Sequence, residues 1–129
     1  MAKGVKQMLA EANAAVKSTT VEQAKALVGA PGVVFLDVRD ADELRKTGTI
    51  PGAVHASRGM LEFFADAESP YHKPALDRTK RLVVNCGSGG RSALACRTLQ
   101  DMGYGAVENL VGGMSAWLEA GGPTEPFRG

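Results

Sequence analysis

The sequence predicts an α/β fold, a mainly parallel sheet with helices on both faces, and three observations predict it. Val33-Val34-Phe35-Leu36 and Leu82-Val83-Val84 are continuous β-branched and apolar runs, the pattern of strands buried on both faces. Around them lie segments whose apolar residues recur at helical spacing. Strands that alternate with helices form a parallel sheet, because parallel neighbours need crossover connections. At 129 residues the chain is expected to be one domain.

Residues 3–15 place Val5, Met8, Leu9, Ala12 and Ala15 on one helical face, with lysines opposite. Ser18-Thr19-Thr20, followed by Glu22-Gln23, offers an N-cap for a second helix over 21–28 that Gly29 and Pro31 end. After the strand at 33–36, residues 40–47 form a short polar helix closed by Gly48, and Ile50-Pro51-Gly52 turns into a short strand at Ala53-Val54. A loop carrying Arg58 leads to an apolar helical patch, Met60 to Phe64. The strand at 82–84 runs into a glycine-rich segment, then a helix over 91–102 stopped by Gly103. A strand over 106–110 and a helix over 114–120 complete the chain.

Charge excludes several classes of partner. Fifteen Lys and Arg face fourteen Asp and Glu, scattered rather than blocked, so neither a nucleic-acid face nor a membrane patch is expected. No apolar run reaches the roughly 20 residues of a membrane span. Residues 1–16 lack the apolar stretch of a secretory signal, so a cytoplasmic protein is expected. The two cysteines make no disulfide framework, and no Cys/His cluster has zinc spacing; no metal or cofactor is expected.

The chemistry concentrates in one loop. Ligands of open parallel sheets sit beyond the carboxyl ends of the strands. There, Cys86 ends a buried strand, and Gly87, Ser88, Gly89 and Gly90 separate it from the helix that Arg91 opens. Glycine permits the unusual dihedrals that turn successive N–H groups into one concavity, and the helix N-terminus adds partial positive charge. An anionic sulfur suits that place. Thiolates at helix N-termini sit about 1 to 5 units below the free thiol near 8.5, and a shift of about 2 units leaves Cys86 mostly ionised at neutral pH. The plain alternative is a buried structural thiol. Cys96 lies mid-helix between Leu94 and Leu99 and reads as core packing rather than a resolving thiol. His55 and His72 are not required, since such a thiolate needs no paired base.

Four ordered blocks resemble the single-domain rhodanese-like sulfurtransferases. They are Phe35-Leu36-Asp37-Val38-Arg39-Asp40; Glu43 and Gly48 with Ile50-Pro51-Gly52-Ala53; Cys86-Gly87-Ser88-Gly89-Gly90-Arg91-Ser92; and Leu110-Val111-Gly112-Gly113 with Trp117. The resemblance covers about 18–123. It implies a central, mainly parallel five-stranded sheet with helices on both faces over 18–129, preceded by an N-terminal helical extension at 1–17. It also implies a thiosulfate sulfurtransferase type of reaction. Cys86 takes a sulfane sulfur from a small anionic donor as a persulfide and passes it to cyanide in an assay, or to a thiol or protein in cells. The amides of 87–91 would hold the persulfide and Arg91 would place the donor, unless Arg91 is a first-turn surface arginine or is tied to Asp37 or Glu43. Arg39 and Arg58 are possible further substrate-binding residues at the mouth, with a solvated surface charge as the plainer state of each. Asp37 is expected to be structural. Thr49 departs from the family's usual histidine.

Two other functions fit part of the pattern. Cys-dependent phosphatases and arsenate reductases share the fold type, but their loops hold five residues between Cys and Arg, where this chain has four. A redox-sensing or sulfur-presenting module remains open, because an exposed low-pKa thiolate oxidises readily.

Overall fold

The computed structural model describes residues 2–129. In chain order its elements are α1 (Val5–Ala15), β1 (Lys17–Thr19), α2 (Val21–Lys25), β2 (Val33–Asp37), α3 (Ala41–Thr47), β3 (Val54–His55), a 3-10 turn (Arg58–Met60), α4 (Leu61–Ala65), β4 (Arg81–Asn85), α5 (Gly90–Asp101), β5 (Val107–Leu110) and α6 (Gly113–Glu119). The five strands make one sheet of order β1-β5-β4-β2-β3, and every pairing in it is parallel. The α/β architecture read from the strand runs is the one observed. No helix among the described residues is long and apolar enough to cross a membrane.

Side-chain alternation along the central strands divides the core in two. Leu36, Leu82 and Val84 point to one face, where Leu61, Ala65, Ala95, Cys96, Leu99 and Tyr104 cover them from α4, α5 and the turn beyond. Phe35 and Val83 point to the other, under Ala24 of α2 and Met114 and Trp117 of α6. Trp117 is fully buried, edge-on to Phe35 at 6.1 Å, and its indole N–H donates to the Pro123 carbonyl at 2.8 Å.

Local chemistry sets the element ends. The Thr20 hydroxyl accepts from Gln23 N at 3.1 Å while the Gln23 side chain accepts from Thr20 N at 3.0 Å, a reciprocal cap for α2. At the start of α3 the Asp40 N–H donates to the Glu43 carboxylate at 3.2 Å, and Gly48 ends the helix. The expected helix over 21–28 stops at Lys25, since the approach to Gly29, at φ 78°, breaks into turns. Residues 18 and 19, read as part of a cap, lie instead in β1, which pairs with β5.

The leading helix behaves differently from its pattern. Only Ala12 of the expected face is buried; Val5 and Met8 are exposed. α1 lies along α5, where the Gln100 amide donates to the Ala15 carbonyl at 3.0 Å. At the other end of the chain, Thr49 and Glu125 exchange two backbone hydrogen bonds at 2.9 Å, fastening the tail beside α3.

Candidate functional site

β4 carries Cys86 to the carboxyl rim of the sheet, and Gly89, at φ 114°, turns the chain into α5. This backbone conformation brings the Gly89 N–H to 3.1 Å from Cys86 Sγ. The Ser92 hydroxyl, one turn into α5, stands 3.3 Å from the same sulfur. Burial pushes the Cys86 thiol pKa up, but hydrogen bonds from the Ser92 hydroxyl and from the amides of Ser92, Gly89 and Ser88 outweigh it, and the pKa lies below the ordinary value. The residue is only 1% exposed. The expected exposed thiolate is therefore a shielded one, because converging amides wrap the sulfur they stabilise.

α6 supports the loop from the other side. Met114 N donates to the Cys86 carbonyl at 2.8 Å and Ser115 N to the Gly87 carbonyl at 3.0 Å. With both carbonyls engaged by α6, the following amides are left to face the concavity. The approach depends on Gly113, at φ 60°, where a Cβ would stand 2.6 Å from the Cys86 carbonyl oxygen.

Arg91 is bound to Glu43 through two hydrogen bonds of 2.7 and 2.9 Å. The Arg91 guanidinium holds the Glu43 carboxyl at about 2, against the opposing effect of burial, and the Asp40 amide assists. Of the alternatives for Arg91, the structure has the Glu43 pair. Its guanidinium also lies against the loop, 3.1 Å from where a Cβ on Gly87 would be.

Of the two other candidate arginines, Arg39 lies beside the loop, lining a cavity with Gly87, and Arg58 points elsewhere. Arg39 is 2% exposed rather than a surface charge. Its guanidinium grips both carboxylate oxygens of Asp37 and donates to the Thr47 hydroxyl at 2.9 Å and the Gly48 carbonyl at 3.1 Å. Asn85 Nδ2 donates to Asp37 at 3.2 Å, so this network braces the strand end that precedes Cys86. Arg58 is half-buried and directed at Glu62 and Thr98, both at 3.1 Å, away from the loop. Burial pushes the fully enclosed Cys96 thiol up to about 12, with the charge of Cys86 adding to it, so Cys96 packs as core. Among the described residues no group of three or more His, Cys, Asp or Glu could hold a metal ion.

Residues outside the candidate list also shape the site. Ser92 touches the sulfur, Gly113 admits α6, and Asn109 of β5 accepts from the Ser92 hydroxyl at 2.6 Å. The glycine pair was legible as a motif, whereas Asn109 carries no sequence signal of its role. A cavity of about 210 Å³ opens beside Gly87, lined among others by Glu43, Lys46, Met114, Ser115 and Leu118.

The rhodanese-like domain family matches residues 20–120. Thiosulfate sulfurtransferase 18 of Arabidopsis thaliana is 35% identical over 113 residues, covering 81% of this chain and 79% of that protein. Among solved structures, a protein of unknown function and possible tyrosine phosphatase from Rhodopseudomonas palustris is 46% identical with a TM-score of 0.91, over 97% of this chain and 96% of that one. The polysulfide-sulfur transferase homodimer of Wolinella succinogenes is 33% identical with a TM-score of 0.73, over 95% and 87%.

Proposed function

The chain belongs to the rhodanese-like domain family, and from that premise we propose that it moves a sulfane sulfur from an anionic donor such as thiosulfate to a nucleophilic acceptor through a persulfide on Cys86. The observation that carries this reading is one sulfur, at the sheet's rim, facing the Gly89 amide and the Ser92 hydroxyl. Donors so placed stabilise a thiolate without a general base.

In the first half-reaction the thiolate attacks the outer sulfur of thiosulfate. A bond forms to Sγ, the donor's own sulfur–sulfur bond breaks, and its electron pair leaves with sulfite. The terminal sulfur of the persulfide then carries the negative charge, and the amides of Gly87, Ser88, Gly89, Gly90 and Arg91 hold it. In the second half-reaction cyanide, or a thiolate of a small molecule or protein, takes that outer sulfur, and the pair returns to Sγ. Arg91 keeps positive charge against the loop while Glu43 fixes its position, and Lys46 adds charge beside Gly87.

Phosphate-ester hydrolysis is a second reading, because a 46% identical neighbour is described as a possible tyrosine phosphatase. Two features favour sulfur. The loop has four residues between Cys86 and Arg91, and the nucleophile is nearly enclosed, which suits entry of a single atom better than a tetrahedral oxyanion.

Mass spectrometry after thiosulfate treatment tests the proposal. A gain of about 32 Da, one sulfur atom in a covalent intermediate, is expected. It should be removed by cyanide and absent in Cys86→Ser. Turnover of an aryl phosphate with no such mass gain would instead establish the phosphatase reading.

A further inference from the structure

The Ser92 hydroxyl has one hydrogen and three acceptors within reach: Asn109 Oδ1 at 2.6 Å, Cys86 Sγ at 3.3 Å and the Gly89 carbonyl at 3.3 Å. It can serve only one well at a time. Asn109 cannot turn its oxygen away, because its Nδ2 donates to the Gly89 carbonyl at 3.1 Å. Its backbone is set in the sheet between Ser18 of β1 and Val84 of β4. Ser92 is fully buried and Asn109 is 8% exposed, so water offers the hydroxyl little alternative. The Gly89 amide is a fixed donor to the sulfur, whereas the hydroxyl rotates.

We propose that Asn109 is a positioning residue that holds the Ser92 hydroxyl proton while Cys86 is a thiol or a persulfide, and yields it to the sulfur when the thiolate is bare. A charged acceptor binds a hydroxyl about twice as strongly as a neutral one, so a bare thiolate outcompetes the amide oxygen. The neutral thiol and the uncharged inner sulfur of a persulfide are weak acceptors, so there the proton returns to Asn109. In the thiol state the Ser92 oxygen is then free to accept from S–H. No proton leaves Ser92 at any stage; only the hydroxyl rotates. Asn109 thus opposes the bare thiolate and favours the loaded enzyme, which retains sulfur until an acceptor arrives.

The other charged and titratable groups around the sulfur are unaltered by a change at Asn109. Arg91 of α5 is paired with Glu43 of α3, Lys46 of α3 lies beside Gly87, Glu108 of β5 is paired with Arg81 and Thr19, Cys96 of α5 is a buried neutral thiol, and Asp37 and Arg39 at the end of β2 neutralise each other. The Gly89 carbonyl keeps the Ala93 N–H at 3.1 Å when Asn109 is removed, so the turn into α5 retains its backbone bond.

The test is the thiol pKa of Cys86 in Asn109→Ala, Asn109→Val, Ser92→Ala and the Asn109→Ala/Ser92→Ala pair. It is read from thiolate ultraviolet absorbance with no donor present, with circular dichroism confirming the fold. Both Asn109 variants should lower it by about half a unit to one unit, the worth of one hydrogen bond. Ser92→Ala should raise it, and the double variant should match Ser92→Ala. At a fixed ratio of thiosulfate to sulfite, and at a pH where the free enzyme is thiolate, the ratio of persulfide to unloaded enzyme in Asn109→Ala should fall about three- to tenfold. The persulfide half rests on the sulfurtransferase reading: wild type that takes up no sulfur defeats that reading, while the titration still judges Asn109. An unchanged or raised pKa in the Asn109 variants, an equal drop in the Ser92→Ala background, or loss of fold in both variants overturns the role.

Discussion

Glu43 gathers three donors on one carboxylate: two from Arg91 and the Asp40 amide at 3.2 Å. It therefore joins the cap of α3 to the sulfur loop, and its ionisation is a statement about stability. Its pKa in the fold is about 2 against an ordinary 4.5, so its contribution is complete above the ordinary value and disappears as pH falls through about 2. Glu43→Gln should lose about 1 kcal/mol at neutral pH, discounted because the pair is partly exposed. The gap to wild type in urea unfolding should close between about pH 4.5 and 2, and a gap that persists in acid would remove the ion pair from the explanation. At this scale the sequence was uneven. Cys86 was legible because a thiol, three glycines and a helix start lie together in the chain. The burial of Arg39 was not, since Asp37 two residues away supplies only part of its solvation, and the other partners, Thr47 and Gly48, come from the fold and not the local pattern.

Helix α6 acts on the loop through its first amides, and Gly113 is the residue that lets it approach. Gly113→Ala adds a methyl carbon 2.6 Å from the Cys86 carbonyl oxygen, at a φ of 60° that side chains rarely adopt. Displacing α6 frees both loop carbonyls, so sulfur-transfer rate should drop at least about tenfold, equal to about 1.4 kcal/mol of barrier, together with a lower melting temperature. Gly105→Ala meets nothing within 4 Å and has no such φ, so it should leave both nearly unchanged. Equal effects of the two substitutions in parallel rate and melting measurements would contradict the docking role. Elements with a strong apolar period, β2, β4 and α5, were readable. The three-residue β1, Lys-Ser-Thr, was not, because its identity as a strand comes from pairing with β5 rather than from its own composition.

The molecule as a whole rests on two apolar layers and on a buried ion pair, Asp37 with Arg39, at the end of β2 beside Asn85 of β4. Arg39→Met strands the Asp37 carboxylate at 0% exposure. That loss should destabilise the fold against global unfolding by about 3–5 kcal/mol, while Asp37→Asn with Arg39→Met should recover much of it. Denaturant midpoints of the two variants check this, and equal midpoints would deny the pair its bracing role. The order of the sheet could not be read from single strands, since it is a property of how five segments meet. Finally, the sealing of Cys96 between α5 and the sheet gives the protein an internal clock. In a Cys86→Ser background a thiol reagent has only this one target, reachable when the helix lifts off its strands. The labelling rate then times that opening, free of any signal from the chemistry at the rim.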